Sequence, residues 1–254
     1  MEIFELMYAT VIILSGPKSG SSSLWRSFRN YFPNARLIHY HPPLSKFDIK
    51  NLKFNFQERV LVVNAFREPI STLISYFFQL FYDFVPELKD KIVEENTDNH
   101  NLIESSFTLI KERFDYILNQ HEFYKDGHSV IYPIPLQDCI SMNVREDLLT
   151  KGLCYVKDDE NEMDWPVDYL FLKFQNVQQW EKQISDIFPG FTLLPDNVTE
   201  NKIVYPFYQY FKNHYSTDEF QKVLDHYEPI ISYFDSYEYV QSIVDHYKYN
   251  NKKE

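Results

Sequence analysis

The chain predicts an α/β fold in which a central, mostly parallel sheet is flanked by helices in three layers. Three observations carry this. Continuous apolar, β-branched runs recur at 8–15, 59–66 and 168–174, as expected of strands buried on both faces. Each is followed by a segment with helical apolar spacing. The first strand–helix junction contains two of only five glycines, Gly16 and Gly20.

Taken in order, YATVIILS (8–15) reads as a buried strand, GPKSGSSS (16–23) as a turn, and LWRSFRNYF (24–32) as a helix. RLIHY (36–40) is a short second strand, ended by His41-Pro42-Pro43. RVLVVNAF (59–66) is a third strand. Pro69 then suits the first turn of the helix that follows. Helical spacing continues through 86–119, most clearly at 101–118. The stretch 120–166, with Gly127, Pro133, Pro135, Gly152 and the acidic run 158–164, gives no clear element. It reads as an insertion or an acceptor-side loop region within a single domain spanning 1–254. DYLFLKF (168–174) is a further strand and NVQQWEKQISDIF (176–188) a helix. The remainder from Asn201 is helical and crowded with Tyr and Phe, which read as core.

Composition narrows the function classes. Hydrophobic residues make up 44% and charged residues 24%, which suits a folded globular chain. A net charge of −12 repels phosphate backbones, so nucleic-acid binding is not expected, and an anionic ligand needs a local cluster of donors. Two cysteines, Cys139 and Cys154, give neither a disulfide framework nor a zinc spacing, and no metal is implied. The apolar run 8–14 is too short to span a bilayer, and Glu2 and Glu5 do not suit a signal peptide. The expectation is an unanchored, cytoplasmic chain of unspecified oligomeric state.

Ligands of parallel sheets sit at the carboxyl ends of the strands. The loop Ser19-Gly20-Ser21-Ser22-Ser23 opens a helix, where unpaired amides and the macrodipole favour an anion. Three hydroxyls and Lys18 add donors and charge. The same run also reads as a Ser-rich helix cap. A magnesium-nucleotide loop requires Lys directly after the second Gly and an Asp at a strand end, and neither is found. After the third strand, Arg67 stands in Arg-Glu-Pro, with Ser75 eight residues on. Positions 67, 71 and 75 fall along one stripe if the helix begins near Pro69. Arg67 forks onto phosphate or carboxylate, and Ser75 can donate to the same anion. A surface Arg with a small packing Ser is the alternative.

The ordered pair of segments resembles the sulfotransferase superfamily, which uses 3′-phosphoadenosine 5′-phosphosulfate. Pro17-Lys18-Ser19-Gly20-Ser21-Ser22 is similar to the loop that binds the 5′-phosphosulfate there. Arg67-Glu68-Pro69 through Ser75 is similar to the motif that binds the 3′-phosphate. REPISTLISYFFQ (67–79), DYLFLKFQNV (168–177) and the run 208–216 resemble the sulfotransferase-like capsular polysaccharide synthesis proteins.

The resemblance implies a P-loop-like version of the three-layer fold. It also implies a metal-free transfer of a sulfuryl group to an acceptor hydroxyl, on a carbohydrate or polysaccharide. Lys18, Ser19, Gly20, Ser21, Ser22 and Ser23 would hold the donor together with Arg67 and Ser75. Lys18 would stabilise the leaving phosphate. Ser23 stands where cytosolic members usually carry Trp, with Trp25 two residues on; their later Arg-Lys-Gly clamp is not evident, and Lys202 is a candidate substitute for it.

The base should project from a neighbouring strand end. His41, in His41-Pro42-Pro43, is the first candidate and His39 the second; two histidines without a catalytic role are the third reading. Two other functions stay open. One is a nucleotide phosphotransferase (kinase). The other is a non-catalytic nucleotide- or glycan-binding protein on the same scaffold.

Overall fold

A computed structural model of the chain describes residues 8–15, 19–40, 59–95, 100–119, 142–156, 167–196, 202–234 and 236–249. Within them five strands form one sheet in the order β2-β1-β3-β5-β4. The strands β1 (Thr10–Ser15), β2 (Arg36–Tyr40), β3 (Val60–Phe66) and β5 (Val167–Lys173) run parallel. At the edge, β4 (Leu153–Val156) pairs antiparallel with β5. Every residue of β1, β3 and β5 is buried, which is why these segments are apolar without alternation.

The described helices are α1 (Ser21–Tyr31), α2 (Pro69–Gln79), α3 (Phe81–Phe84), α4 (Lys89–Glu95), α5 (His100–Asn119), α6 (Met142–Lys151), α7 (Trp180–Ile187), α8 (Tyr205–His214), α9 (Glu219–Phe234) and α10 (Tyr237–Tyr249). They cover both faces of the sheet. On one face Leu24 and Phe28 of α1 and Trp180 and Ile184 of α7 pack on Val11, Ile13, Leu61, Val63 and Leu170. On the other, α2, α5 and α8–α10 pack on Ile12, Leu14, Val62 and Phe171.

That second layer absorbs much of the aromatic excess. Phe114 meets Phe77 edge-on at 5.2 Å between centroids and Phe211 at 5.1 Å, and Phe211 stacks on Tyr215 at 4.4 Å. Of the C-terminal aromatics, Phe207, Phe211, Tyr215, Phe220 and Tyr247 are core, as expected, whereas Tyr237, Tyr239 and Tyr249 are exposed.

Three local expectations change. The stretch 120–166 contains α6 and β4; 120–141 and 157–166 lie outside the described residues. The helical spacing of 86–119 is divided into a 3₁₀ turn at Pro86–Leu88, then α4 and α5. Before α7 the chain runs as a 3₁₀ turn, Phe174–Gln179, rather than as α-helix.

At the amino end of the sheet a buried carboxylate ties four segments together. Asp168 is fully buried and accepts two bonds from the Arg59 guanidinium, Nε and one terminal nitrogen, each at 2.8 Å. The Tyr155 hydroxyl donates to it at 2.9 Å, and Tyr8 donates as well. The two tyrosine hydroxyls lie 2.8 Å apart. Burial, then bonding to Asp168, raises the Tyr8 pKa well above its ordinary value. Burial pushes Tyr155 up to about 12. Tyr215 and Tyr247 are also raised by burial.

A tyrosine whose pKa is raised on folding stabilises the fold fully below its unfolded value near 10 and loses that contribution as pH climbs through the folded value. The urea midpoint is therefore expected to hold between pH 7 and 9 and to fall steeply from pH 10 to 12. An unchanged midpoint at pH 11.5 would refute the buried, protonated state of these hydroxyls.

Candidate functional site

The helix after β1, α1, packs on one face of the sheet and the helix after β3, α2, on the other, so the chain leaves these adjacent parallel strands in opposite directions at their carboxyl ends, where ligands of such sheets bind. Both segments singled out in the sequence follow these strand ends. Of the first, Gly16, Pro17 and Lys18 lie outside the described residues, as does His41. From Ser19 onward the chain enters α1.

Gly20 is the N-cap of α1, with φ +81°, in the left-handed region that glycine enters without steric cost. Its carbonyl accepts the first helical bond, from Leu24 N–H at 3.1 Å. The first-turn amides of 21–23 have no acceptor within the helix, and no acidic side chain occupies that turn. Ser19 and Ser21 are buried and Ser22 is half-buried.

Glycine is needed at position 20 for a second reason. A Cβ there would stand 2.8 Å from Cζ3 and 3.0 Å from Cη2 of Trp180. Trp180 is fully buried, and its indole N–H donates to the Lys173 carbonyl at 3.0 Å. The same Cβ position lies 3.5 Å from Cε2 of Phe174. Phe174 in turn carries the Arg67 guanidinium over its ring, 4.6 Å from the centroid. The Phe174 ring thus lies between the Arg67 guanidinium and the position a Cβ would take at Gly20.

Arg67 follows β3 directly and Glu68 N-caps α2, its carboxylate accepting from the Ser71 amide at 2.9 and 3.1 Å. Burial raises the Glu68 pKa above its ordinary value; the bonds from Ser71 and the Arg67 charge pull the other way. Arg67, Glu68 and Ser71 line a cavity of about 340 Å³, with Lys173 and Phe174 on the β5 side and Tyr239 of α10 beyond. Ser75, buried two turns into α2, lines a separate narrow crevice with Lys202, Tyr205 and Tyr208. The stripe 67, 71, 75 is therefore divided: Arg67 and Ser71 share one recess, while Ser75 and Lys202 share another.

The remaining predicted residues have definite positions. Ser23 Oγ accepts the Asp196 amide at 2.9 Å, and Ser27 Oγ accepts the Leu194 amide at 2.8 Å, so these hydroxyls staple 191–196 to α1. Trp25 is half-buried, with the Arg29 guanidinium 5.0 Å from its ring centroid. His39 sits near the carboxyl end of β2, in register with Ile13 of β1.

The sequence assigned no role to Lys173, Phe174 or Trp180. A usable signal was present for Lys173: a lysine closing an apolar strand, at the end of the sheet where ligands bind. The approach of Phe174 and Trp180 to the Cβ position of Gly20 links residues more than 150 apart in the chain and leaves no local trace.

No protein-family model, no curated protein and no solved structure matches the chain. Among the described residues no group of three or more His, Cys, Asp or Glu could hold a metal ion, and no helix is long and apolar enough to cross a membrane.

Proposed function

We propose that the protein is a sulfotransferase that moves a sulfuryl group from 3′-phosphoadenosine 5′-phosphosulfate to an acceptor hydroxyl on a carbohydrate. One observation carries the reading: the Phe174 ring, just after β5, carries the Arg67 guanidinium 4.6 Å from its centroid and lies 3.5 Å from where a Cβ on Gly20 would stand, so the two segments come to one ring. A donor with phosphate at both ends of its ribose suits two such anchors. The parallel strand β1, flanked by β2 and β3 and followed in sequence by the Gly-Ser loop that opens α1, supports the P-loop-like form of the fold.

In this reading the amides and hydroxyls of 19–22, with Lys18, hold the 5′-phosphosulfate. Arg67 takes the 3′-phosphate as a fork, with Ser75 and Lys202 on the far side of α2's stripe. Ser23 contributes its amide, since its hydroxyl is engaged with the backbone of 196.

The acceptor oxygen attacks sulfur in line and the bond from sulfur to the 5′-phosphate oxygen breaks. The proton passes to a base, for which His41 stands first and His39 second, and adenosine 3′,5′-bisphosphate departs. Lys18 neutralises the charge growing on its phosphate.

Calorimetry with adenosine 3′,5′-bisphosphate in EDTA tests the donor. Micromolar binding is expected, weakened about 10- to 100-fold in Arg67→Ala and in Lys18→Ala, the range for losing hydrogen bonds to a charged group. Tight binding of magnesium-ATP with none of the bisphosphate would instead establish the phosphotransferase. A labelled-sulfate assay against a panel of polysaccharides separates enzyme from binding protein, because the latter binds without turnover.

A further inference from the structure

We infer that the Ser15 hydroxyl is a further hydrogen-bond donor to the 5′-phosphosulfate, meeting it from the sheet while the first turn of α1 meets it from the helix side; the identity of the anion rests on the proposed function. Ser15 closes β1 and is fully buried. Its Oγ has no hydrogen-bond partner among the described residues. Burying a hydroxyl in that state costs free energy, and a bound acceptor recovers it.

Alternation places this hydroxyl. Val11 and Ile13 pack on the layer of α1 and α7, so Ser15, two residues on, stands on the same face. A serine carries a single heavy atom beyond Cβ, so the face of the strand fixes where Oγ lies. Across the ladder Ser15 pairs with Ala65, and Ala65 with Leu172. Both partners belong to that layer. Ser15 and Ala65 are the smallest side chains that β1 and β3 turn to it, and they stand side by side at the carboxyl rim.

The start of α1 reaches the same rim. Lys173, next after Leu172, offers its carbonyl to the Trp180 indole. Trp180 in turn lies 2.8 Å from the Cβ position of Gly20, the N-cap of α1. Gly20 and Ser15 therefore share one face and one end of the sheet. The amides of 21–23 have no acceptor within the helix, and Gly20 has no side chain to cap them. Amide dipoles and a neutral hydroxyl suit an anion. A tetrahedral phosphate or sulfate directs oxygens to both sides at once. A planar carboxylate, engaged by the amides, has no oxygen left for the strand.

The test compares adenosine 3′,5′-bisphosphate with adenosine 3′-monophosphate, which lacks only the 5′-phosphate, on wild type, Ser15→Ala and Ser15→Thr. Ser15→Ala is expected to bind the bisphosphate about 10-fold more weakly, the loss of one hydrogen bond to a charged group, with monophosphate affinity unchanged. Ser15→Thr keeps the hydroxyl on a residue that suits a strand and should restore most of the affinity. Without ligand, Ser15→Ala should melt no lower than wild type, because the hydroxyl it removes has no partner among the described residues. Ser15→Cys, close in size and only a weak donor, stands in if the alanine variant does not fold, with the same loss expected.

Unchanged bisphosphate affinity in Ser15→Ala overturns the inference. So do equal losses on both nucleotides, or a clearly lower Tm of the ligand-free variant. A wild type that binds neither nucleotide overturns the donor reading, and inorganic sulfate then decides for Ser15. A sulfate-dependent rise in Tm that Ser15→Ala lacks upholds an anion subsite there, whereas equal rises in both proteins overturn it.

Discussion

Replacing Asp168 with alanine is expected to destabilise the protein by about 3–5 kcal/mol, the cost of breaking a buried ion pair from one side. The side chain is fully buried and accepts from Arg59 twice, from Tyr155 and from Tyr8. Its removal takes two bonds from a guanidinium only 24% exposed and one from each tyrosine hydroxyl. Because a domain of this kind is stable by about 5–15 kcal/mol, the variant should sit near its unfolding threshold at 37 °C. Urea denaturation measures the loss directly, and a change below about 1 kcal/mol would show that Asp168 is not the anchor. The network lies at the opposite end of the parallel strands from the candidate site. Folded Asp168→Ala at low temperature should therefore bind bisphosphate as the wild type does.

Gly20→Ala is the second large effect, and it should impair both stability and binding. A left-handed backbone costs a non-glycine residue about 1–2 kcal/mol. The added methyl would also meet Trp180 at 2.8 Å, and overpacking of this kind costs about 1–3 kcal/mol more. The indole has nowhere to go, since it is wholly buried and bonded to the Lys173 carbonyl. Relief must come from the start of α1, which moves the amides thought to meet the phosphosulfate. The expected result is a stability loss of about 2–5 kcal/mol in urea, from the two costs together, with bisphosphate affinity falling beyond what a shifted folding equilibrium explains. A variant that melts with the wild type would show that the Trp180 contact is not rigid. By contrast Gly190, also at positive φ, has nothing within 4 Å of a Cβ, so alanine there meets only the backbone cost.

Much of the architecture was legible because the three central strands are buried on both faces and so spell unbroken apolar runs. Pro69 marked the start of α2, and the Ser-Gly-Ser segment marked that of α1. By contrast β4 was hidden: four edge residues, only Cys154 of them buried, follow a helix with little amphipathic signal. The two segments singled out for the site are each contiguous, which is why the sequence could offer them. Lys173 could not be read in this way, because an unbroken strand reading absorbs its last residue, and the β3 residue it pairs with, Phe66, lies 107 positions earlier in the chain. Ser23 shows the reverse limit. A hydroxyl at a helix start suggests a ligand, yet here it is spent on a neighbouring segment of the chain itself.

The reversed direction of β4 has a mechanical corollary. Running against its neighbours, this short strand has one end at each rim of the sheet. Just before it, the Gly152 carbonyl braces Lys173, and near its finish the Tyr155 hydroxyl grips Asp168. It acts as a strut that sets the separation of the two rims, so a sideways slip of β4 by one residue would loosen both at once.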